Sequence, residues 1–427
     1  MYSVIIKNGA IIAGTGEPAH RSDIGISENK IVDIGEIRNN KADLILDAQG
    51  LYIAPGFIDL LTHSDIKGTL FSQPSQESFI RQGTTTILGG HDGYSLAPAL
   101  NKKSVTLINN FLKNSDTTIN KQTMEQLLKT INRAHPAVNF YTLVGFNMLI
   151  QNNISDDVSE ITKNDASKII ELFENCLNEG AIGLSVNFET LNDNRILYYI
   201  VSKLVDVVAK RNLVTVYHLG NRKDKLLPHL SKIIMFTRNS GGRGHISHLR
   251  QSSCDNWGDF KKAIEMLEYA IHDEVELTCD YTLDTRLNPD EYINILSQKD
   301  FASLVTDETG FDMSQESSTK SELHNKNYKI FPSIFRQLVK ENKTLSFEEA
   351  IYKITGLPAK ILNLKNRGLI KVGNFADLVI FDPAQVKDEL THTIFPVQPV
   401  GIQYVFVNGE LTFGENIFQG SRAGMVT

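Results

Sequence analysis

Apolar and polar positions alternate in short runs along the first fifty residues, at Ser3 to Lys7, Ala10 to Ala13, Asp23 to Ser27 and Lys30 to Gly35. Period-two alternation is the signature of a half-buried strand, and Asn8-Gly9 between two of the runs is a strong hairpin signal. The chain therefore opens on a predicted antiparallel β-element. The same rhythm returns in Phe375 to Asp382 and in Gly401 to Phe413, where Asn408-Gly409 marks another hairpin. The two ends are expected to meet in one small β-domain, a sandwich formed by residues 1–52 and 366–427.

Residues 53–365 follow a different rhythm. Short apolar runs alternate with amphipathic helical stretches such as Asp165 to Glu179, Arg195 to Lys210 and Trp257 to Ala270. Strands alternating with helices predict parallel βαβ units. The candidate strands are Ala54–Leu60, Thr84–Leu88, Phe140–Val144, Ile182–Val186, Val214–His218, Gly244–His248, Glu274–Cys279 and Ala302–Thr306. Eight such strands predict an α/β fold of the (β/α)8 barrel type; a doubly wound open sheet is the alternative with the same local pattern. The polar stretch Asp312 to Asn327 reads as a loop.

At 427 residues and 41% hydrophobic content, the chain is long enough for one large core and a satellite. Its formal charge of −7, without a Lys/Arg run, argues against nucleic acid or an anionic membrane as partner and favours a small molecule. The N-terminus lacks the pattern of a signal peptide, and no apolar stretch reaches the roughly 18 residues of a membrane helix, so a soluble cytoplasmic protein is expected. Cys176, Cys254 and Cys279 have no CxxC spacing and read as reduced core residues.

Ligand-type side chains recur at or just past the ends of the predicted strands: His63 and Asp65, His91 and Asp92, His218, His248, and Asp307. In a parallel barrel those ends converge on one mouth. Imidazole and carboxylate groups are the usual ligands of zinc-type ions, which acidify a bound water, while a neighbouring carboxylate shuttles its proton. Any one of these residues, taken alone, reads more readily as a hydrogen-bonded core or loop side chain; their joint placement is what points to a metal site. His245, three residues before His248, reads as structural and on the opposite strand face. His20, His272, His324 and His392 fall in turns or polar loops, and the Gly-Gly pairs at 89–90 and 241–242 lack a phosphate-loop pattern.

Several segments resemble the amidohydrolase superfamily, and within it the N-acyl-D-amino-acid deacylases. These are DAQGLYIAPGFIDLLTHSD, RQGTTTILGGHDGYSLAP, NEGAIGLS, VYHLG, ISHLR with the later NWG, TDETG, TGLPAKILNL, RGLIKVGNFADLVIFDP and the final GSRAG, in family order. The resemblance implies that His218 and His248 hold a tightly bound zinc, that Asp307 is general base and acid, and that His63 is the second histidine of a His-x-His pair. Leu61 stands where the first histidine of that pair is expected, and Asp92 where the deacylases have a cysteine ligand. The implied centre is thus one zinc ion held by Asp92, His218 and His248 with His63 adjacent, the second site having lost a ligand unless Asp65 compensates. Arg250 matches the family's basic residue two positions past the second zinc histidine, and His324-Asn325-Lys326 matches its His-Pro-Arg stretch. Arg250 and Lys326, with Tyr281, are expected to bind the substrate.

The expected reaction is metal-dependent hydrolysis of a non-peptide C–N amide bond, deacylating an N-acyl-D-amino acid by metal-activated water with Asp307 moving the proton. The rivals are hydrolysis of a cyclic amide or an isopeptide-like dipeptide, and a catalytically degenerate barrel that only binds a ligand. The segment Tyr281 to Asp300 is shorter than in typical deacylases, which implies the loss of an inserted lid.

Overall fold

The computed structural model describes residues 1–39, 41–153, 161–191, 193–222, 224–250, 257–283, 290–312, 330–388 and 399–427. Lys326, His324, His392, Cys254, most of the 312–327 stretch and part of the Tyr281–Asp300 segment lie outside the described residues.

Five strands open the chain: β1 (Tyr2–Ile11), β2 (His20–Ser27), β3 (Lys30–Gly35), β4 (Ala42–Asp47) and β5 (Tyr52–Pro55). Asn8-Gly9 is not a hairpin turn. It lies inside β1, where the antiparallel register with β2 shifts between Ile6 and Gly9 and Asn8 adopts φ 61. The two short runs are thus one strand interrupted by a bulge. A Cβ on Gly9 would meet the Ile53 side chain of β5, so any larger residue there would have to displace that side chain. The element is also not purely antiparallel, because β1 runs parallel to both β4 and β5.

Nine short parallel segments follow: β6 (Phe57–Asp59), β7 (Thr84–Gly89), β8 (Asn139–Thr142), β9 (Val144–Gly145), β10 (Gly183–Asn187), β11 (Val214–His218), β12 (Arg243–Ser247), β13 (Leu277–Tyr281) and β14 (Ala302–Leu304). They pair in the order β6-β7-β8 and β9-β10-β11-β12-β13-β14. Leu143 alone separates β8 from β9, and its N–H donates to Gly89 O at 3.0 Å, so the two form one interrupted strand. Each of the eight predicted strands has its counterpart among these segments. Past the strand ends, Asp307 N–H donates to Leu61 O at 3.1 Å and His63 N–H to Glu308 O at 2.9 Å. The chain leaving β14 therefore runs beside the chain leaving β6.

The helices lie between strands as the periodicity predicts. Arg195–Lys210 buries Leu197, Ile200, Val201, Leu204, Val205 and Val208, one face of a 3.6-residue repeat. Lys163–Asn178 begins at a capping box in which Thr162 accepts the Asp165 N–H and Asp165 accepts the Thr162 N–H. Among the described residues no helix is long and apolar enough to cross a membrane. Cys176 and Cys279 are buried free thiols.

The chain ends in β15 (Leu378–Phe381), β16 (Ile402–Val407), β17 (Glu410–Gly414) and β18 (Ile417–Phe418). β15 pairs antiparallel with β5, so both ends of the chain build one nine-stranded sheet, branched at β1, where a sandwich was expected. Asn408-Gly409 turns β16 into β17 with φ 49 and 83, the paired left-handed residues of a tight hairpin. Its core joins Ile6, Ile24 and Ile53 to Leu378, Ile380 and Phe406.

Candidate active site

Two apolar layers divide the parallel strands by parity. Leu61, Leu88, Leu143, Val214, Val216 and Val305 pack in one cluster inside the strand array. Tyr217, Ile246, Cys279, Tyr281 and Leu304 belong to the larger core shared with the helices. Side chains two residues apart on an extended chain share a face. His63 therefore continues the inner row of Leu61 and His218 that of Val216.

His248, Asp92 and Asp307 reach the same mouth by another route. His248 follows Ile246, whose side chain points to the helices, but its own φ of 54 reverses the chain. Asp92 has φ 56 and Asp307 φ 59. Left-handed backbone is uncommon for residues other than glycine and clusters at functional sites.

The side chains meet in two groups. His63 Nε2 lies 3.0 Å and His248 Nε2 3.3 Å from the same Asp307 oxygen, Oδ1. His218 Nδ1 lies 2.7 Å from Asp92 Oδ1, an ion-pair distance, although that oxygen has no aligned hydrogen bond. The rings of His218 and His248 join the groups, with centroids 5.9 Å apart. Burial by itself raises the pKa of Asp307, but His248 and His63 outweigh it and hold the carboxyl well below the ordinary carboxylate range. Asp92 is held low in the same way, against burial, by His218 and then by the charge of His63. For His63, burial opposes protonation, yet Asp307 raises its pKa on balance.

A further set of buried groups supports these residues. Asp280 Oδ1 accepts the His248 N–H at 2.8 Å, while Oδ2 lies 2.9 Å from His245 Nε2. His245 also meets Thr278 Oγ1 at 2.8 Å, so it is a structural group inside the strand array and not on an opposite, outer face. Asp65 accepts the Gly90 N–H at 2.7 Å and so braces the turn that presents Asp92. Asp59 accepts the Thr306 hydroxyl at 2.5 Å and the N–H groups of Leu61 and Thr306 at 3.2 Å, tying together the strand exits that carry His63 and Asp307. Burial pushes Asp59 up to about 7, against those hydrogen bonds. His91 Nε2 lies 3.1 Å from Leu88 O, and burial lowers its pKa to about 4.

Arg222 is the residue that the sequence did not point to. It is 7% exposed, and its guanidinium lies 3.4 Å from His218 Nε2. Burial lowers its pKa to about 10, with the charge of Arg250 acting in the same direction. Nothing in the VYHLGNRKD segment singles it out, because it stands on a loop whose course has no periodicity. Asp280 and Asp59 did leave a signal: each is a charged residue within an otherwise apolar strand.

Tyr281 is a correction. It is 1% exposed and packs in the helix-side core beside Cys279, because strand parity turns it away from the Asp280 face. Substrate contact by Tyr281 is not what its packing supports. Leu61 is fully buried in the inner layer with Leu88, Leu143 and Val305, so apolar packing fills the position of the missing histidine.

The donor chemistry suits a zinc-type ion: three imidazoles and two carboxylates stand at one mouth. His63 Nδ1 and His248 Nδ1 are buried without a hydrogen-bond partner, which is rare unless a ligand belongs there. Among the described residues no three His, Cys, Asp or Glu side chains already converge as a closed metal cluster. The expected ligands Asp92, His218, His248 and His63 thus share a region but are paired with carboxylates and with one another. A separate cavity of about 660 Å³ opens at the other ends of β11 to β14, lined by Val214, Arg243, Leu277 and Phe301. Two ion pairs line it, Arg243 with Glu276 at 3.0 Å and Lys299 with Glu268 at 2.5 Å, and His63, His91, His218 and His248 are not among its lining residues.

Comparison with known proteins agrees with the sequence resemblance. Residues 301–413 match the amidohydrolase family. The N-acyl-D-aspartate deacylase of Alcaligenes xylosoxydans xylosoxydans is 26% identical over 98% of this chain and 93% of its own length. The N-acyl-D-glutamate deacylase from Bordetella bronchiseptica, crystallised with zinc and a phosphonate mimic of the tetrahedral intermediate, superposes with a TM-score of 0.86 at 22% identity, covering 100% of this chain and 99% of that one. A D-aminoacylase studied for its binuclear metal centre gives 0.84 at 20% identity, covering 99% of both chains.

Proposed function

We propose that this chain, an amidohydrolase related along its whole length to the D-amino-acid deacylases, is a metal-dependent hydrolase that removes the acyl group from an N-acyl-D-amino acid. The observation that carries the reading is the convergence of His63 and His248 on Asp307 beside the His218–Asp92 pair. Three of these five residues adopt left-handed backbone to reach that position. The eight parallel strands are taken as a (β/α)8 barrel, with residues 1–52 and 366–427 as its β-domain.

Asp92, His218 and His248 are the residues that would hold one zinc ion, with His63 next to them. When bound, such an ion supplies Lewis acidity, polarising the amide carbonyl and acidifying a water molecule. Asp307 accepts the proton of the attacking water and returns it to the departing amine nitrogen. Its Oδ1 faces both His63 and His248, the position from which it can take that proton. Arg250, on the exit of β12, and Lys326 orient the substrate carboxylate. Arg presents a planar fork to a carboxylate and Lys a point charge, so the two grip it differently.

The test is Asp307→Asn assayed on a panel of N-acetyl-D-amino acids, N-acetyl-L-amino acids and hydantoins. Turnover of the D-series alone is expected in the unsubstituted enzyme. A loss of at least about 100-fold is expected in the variant, with its zinc content retained. Undiminished turnover by Asp307→Asn removes the assigned role, and turnover of hydantoins alone removes the substrate assignment.

A further inference from the structure

The cavity of about 660 Å³ at the other ends of β11 to β14 has the size of a small-molecule pocket and takes no part in the hydrolysis. Its inner wall is apolar. Val214, Leu357 and Ile361 line it and share one inner layer with Leu61 and Val216, the residues two positions before His63 and His218. The rings of Phe301 and Tyr352 also line it. Its charges do not balance. Glu276 and Glu268 hold Arg243 and Lys299, which leaves one lining cation, Lys360, against the exposed carboxylates of Glu274 and Asp300. Neither of those carboxylates forms an ion pair among the described residues; the buried amine of Lys353, whose charge Asp300 feels, donates to Lys299 O and Ala302 O.

A chain of hydrogen bonds leads from this cavity to the opposite ends of the strands. Half-buried Thr278 lines the cavity, and its Oγ1 lies 2.8 Å from His245 Nδ1. His245 Nε2 lies 2.9 Å from Asp280 Oδ2, and Asp280 Oδ1 accepts the His248 N–H at 2.8 Å. His245 and Asp280 are each 1% exposed, so water can compete for the chain only at Thr278.

We propose that this cavity is a regulatory site for an amphipathic organic amine, a monocation with an apolar body, and that its occupancy tightens the hold of His248 on the metal. The inference rests on the metal-dependent reading for what His248 does. The surplus carboxylate at the rim and the two aromatic rings favour a cation over a neutral or anionic ligand. An apolar body seated against Thr278 expels the water that competes for its hydroxyl, which leaves the bond to His245 unopposed and the chain to His248 stiffer.

The experiment uses tryptamine as the probe, with tryptophol and indole-3-propionate as its neutral and anionic counterparts. Calorimetric titration is expected to show tryptamine binding about 10-fold more tightly than tryptophol, with indole-3-propionate weakest. The preference is expected to vanish in the Asp300→Asn/Glu274→Gln double variant, whose two changes lie at exposed positions. Zinc affinity, read by competition with a chromophoric chelator, is expected to rise about 5-fold or more with tryptamine bound. Thr278→Val is expected to bind tryptamine as the unsubstituted protein does and to lose that rise, which also separates coupling from direct chelation by the amine. Equal binding of all three indoles, a preference that survives the double variant, or a zinc affinity indifferent to tryptamine overturns the proposal. If the chain holds no zinc with or without tryptamine, the metal-dependent reading falls, while the amine preference and its loss in the double variant still decide the cavity.

Discussion

Asp280 accepts the backbone N–H of His248 at 2.8 Å, and this contact fixes a histidine that strand parity alone would turn away from the mouth. Its second oxygen meets buried His245, so Asp280→Ala strands two groups at once. A loss of roughly 3–5 kcal/mol is expected, as for any buried ion pair that loses one partner. Asp280→Asn keeps an acceptor for His248 and is expected to lose less. Urea denaturation of both variants checks this; an Asp280→Ala midpoint equal to that of the unsubstituted protein would falsify the supporting role.

Gly90 precedes the site residues His91 and Asp92 with φ 81, and a Cβ there would lie 2.4 Å from Leu143 O, a backbone atom that cannot swing aside. Gly90→Ala combines left-handed strain with a backbone clash, and a cost of about 2 kcal/mol or more is expected. Because Asp65 holds this same N–H, zinc content should fall together with stability. A variant that melts early yet binds zinc normally would separate the turn from the site.

The carboxyl of Asp59 has a pKa of about 7 in the fold, above its ordinary value of 3.8. Between those values the folded chain binds more protons than the unfolded one, so this group's contribution to stability declines as pH rises from about 4 to 7. Asp59→Asn removes that dependence. Relative to the unsubstituted protein, the variant should gain melting temperature steadily from pH 5 to pH 7 and no more above it. His91, lowered to about 4, works in the other direction, losing its contribution as pH falls from 6.5 toward 4, which is why the comparison must be made between variants. A constant difference across that pH range would show that Asp59 titrates normally.

Leu61→His restores an imidazole in a fully buried apolar layer. Without metal the change is expected to cost roughly 1–3 kcal/mol for burying an unpartnered polar group. With zinc it should raise bound metal above that of the unsubstituted protein and recover part of the melting temperature, because a ligand that binds only the folded state stabilises it. Elemental analysis and paired melts with and without chelator decide the matter. Unchanged stoichiometry in Leu61→His means that this leucine does not set the number of ions bound.

What the sequence by itself determined was the set of elements and part of the site. Apolar runs of strand length and helices with one buried face are local properties, so the parallel strands and the Arg195–Lys210 helix were legible from period alone. His63 and His218 were legible for the same reason, since each extends the inward row of its own strand. Tertiary structure decided the rest. Left-handed backbone at His248, Asp92 and Asp307 breaks strand parity, and the pairing of β1 with its neighbours makes Asn8-Gly9 a bulge where the local code signals a turn. The same strand parity, read once Asp280 was seen to face inward, removed Tyr281 from the mouth. Arg222 could be recognised only from its neighbours, because the electrostatics of a buried guanidinium depend on charges brought together from strands distant in sequence.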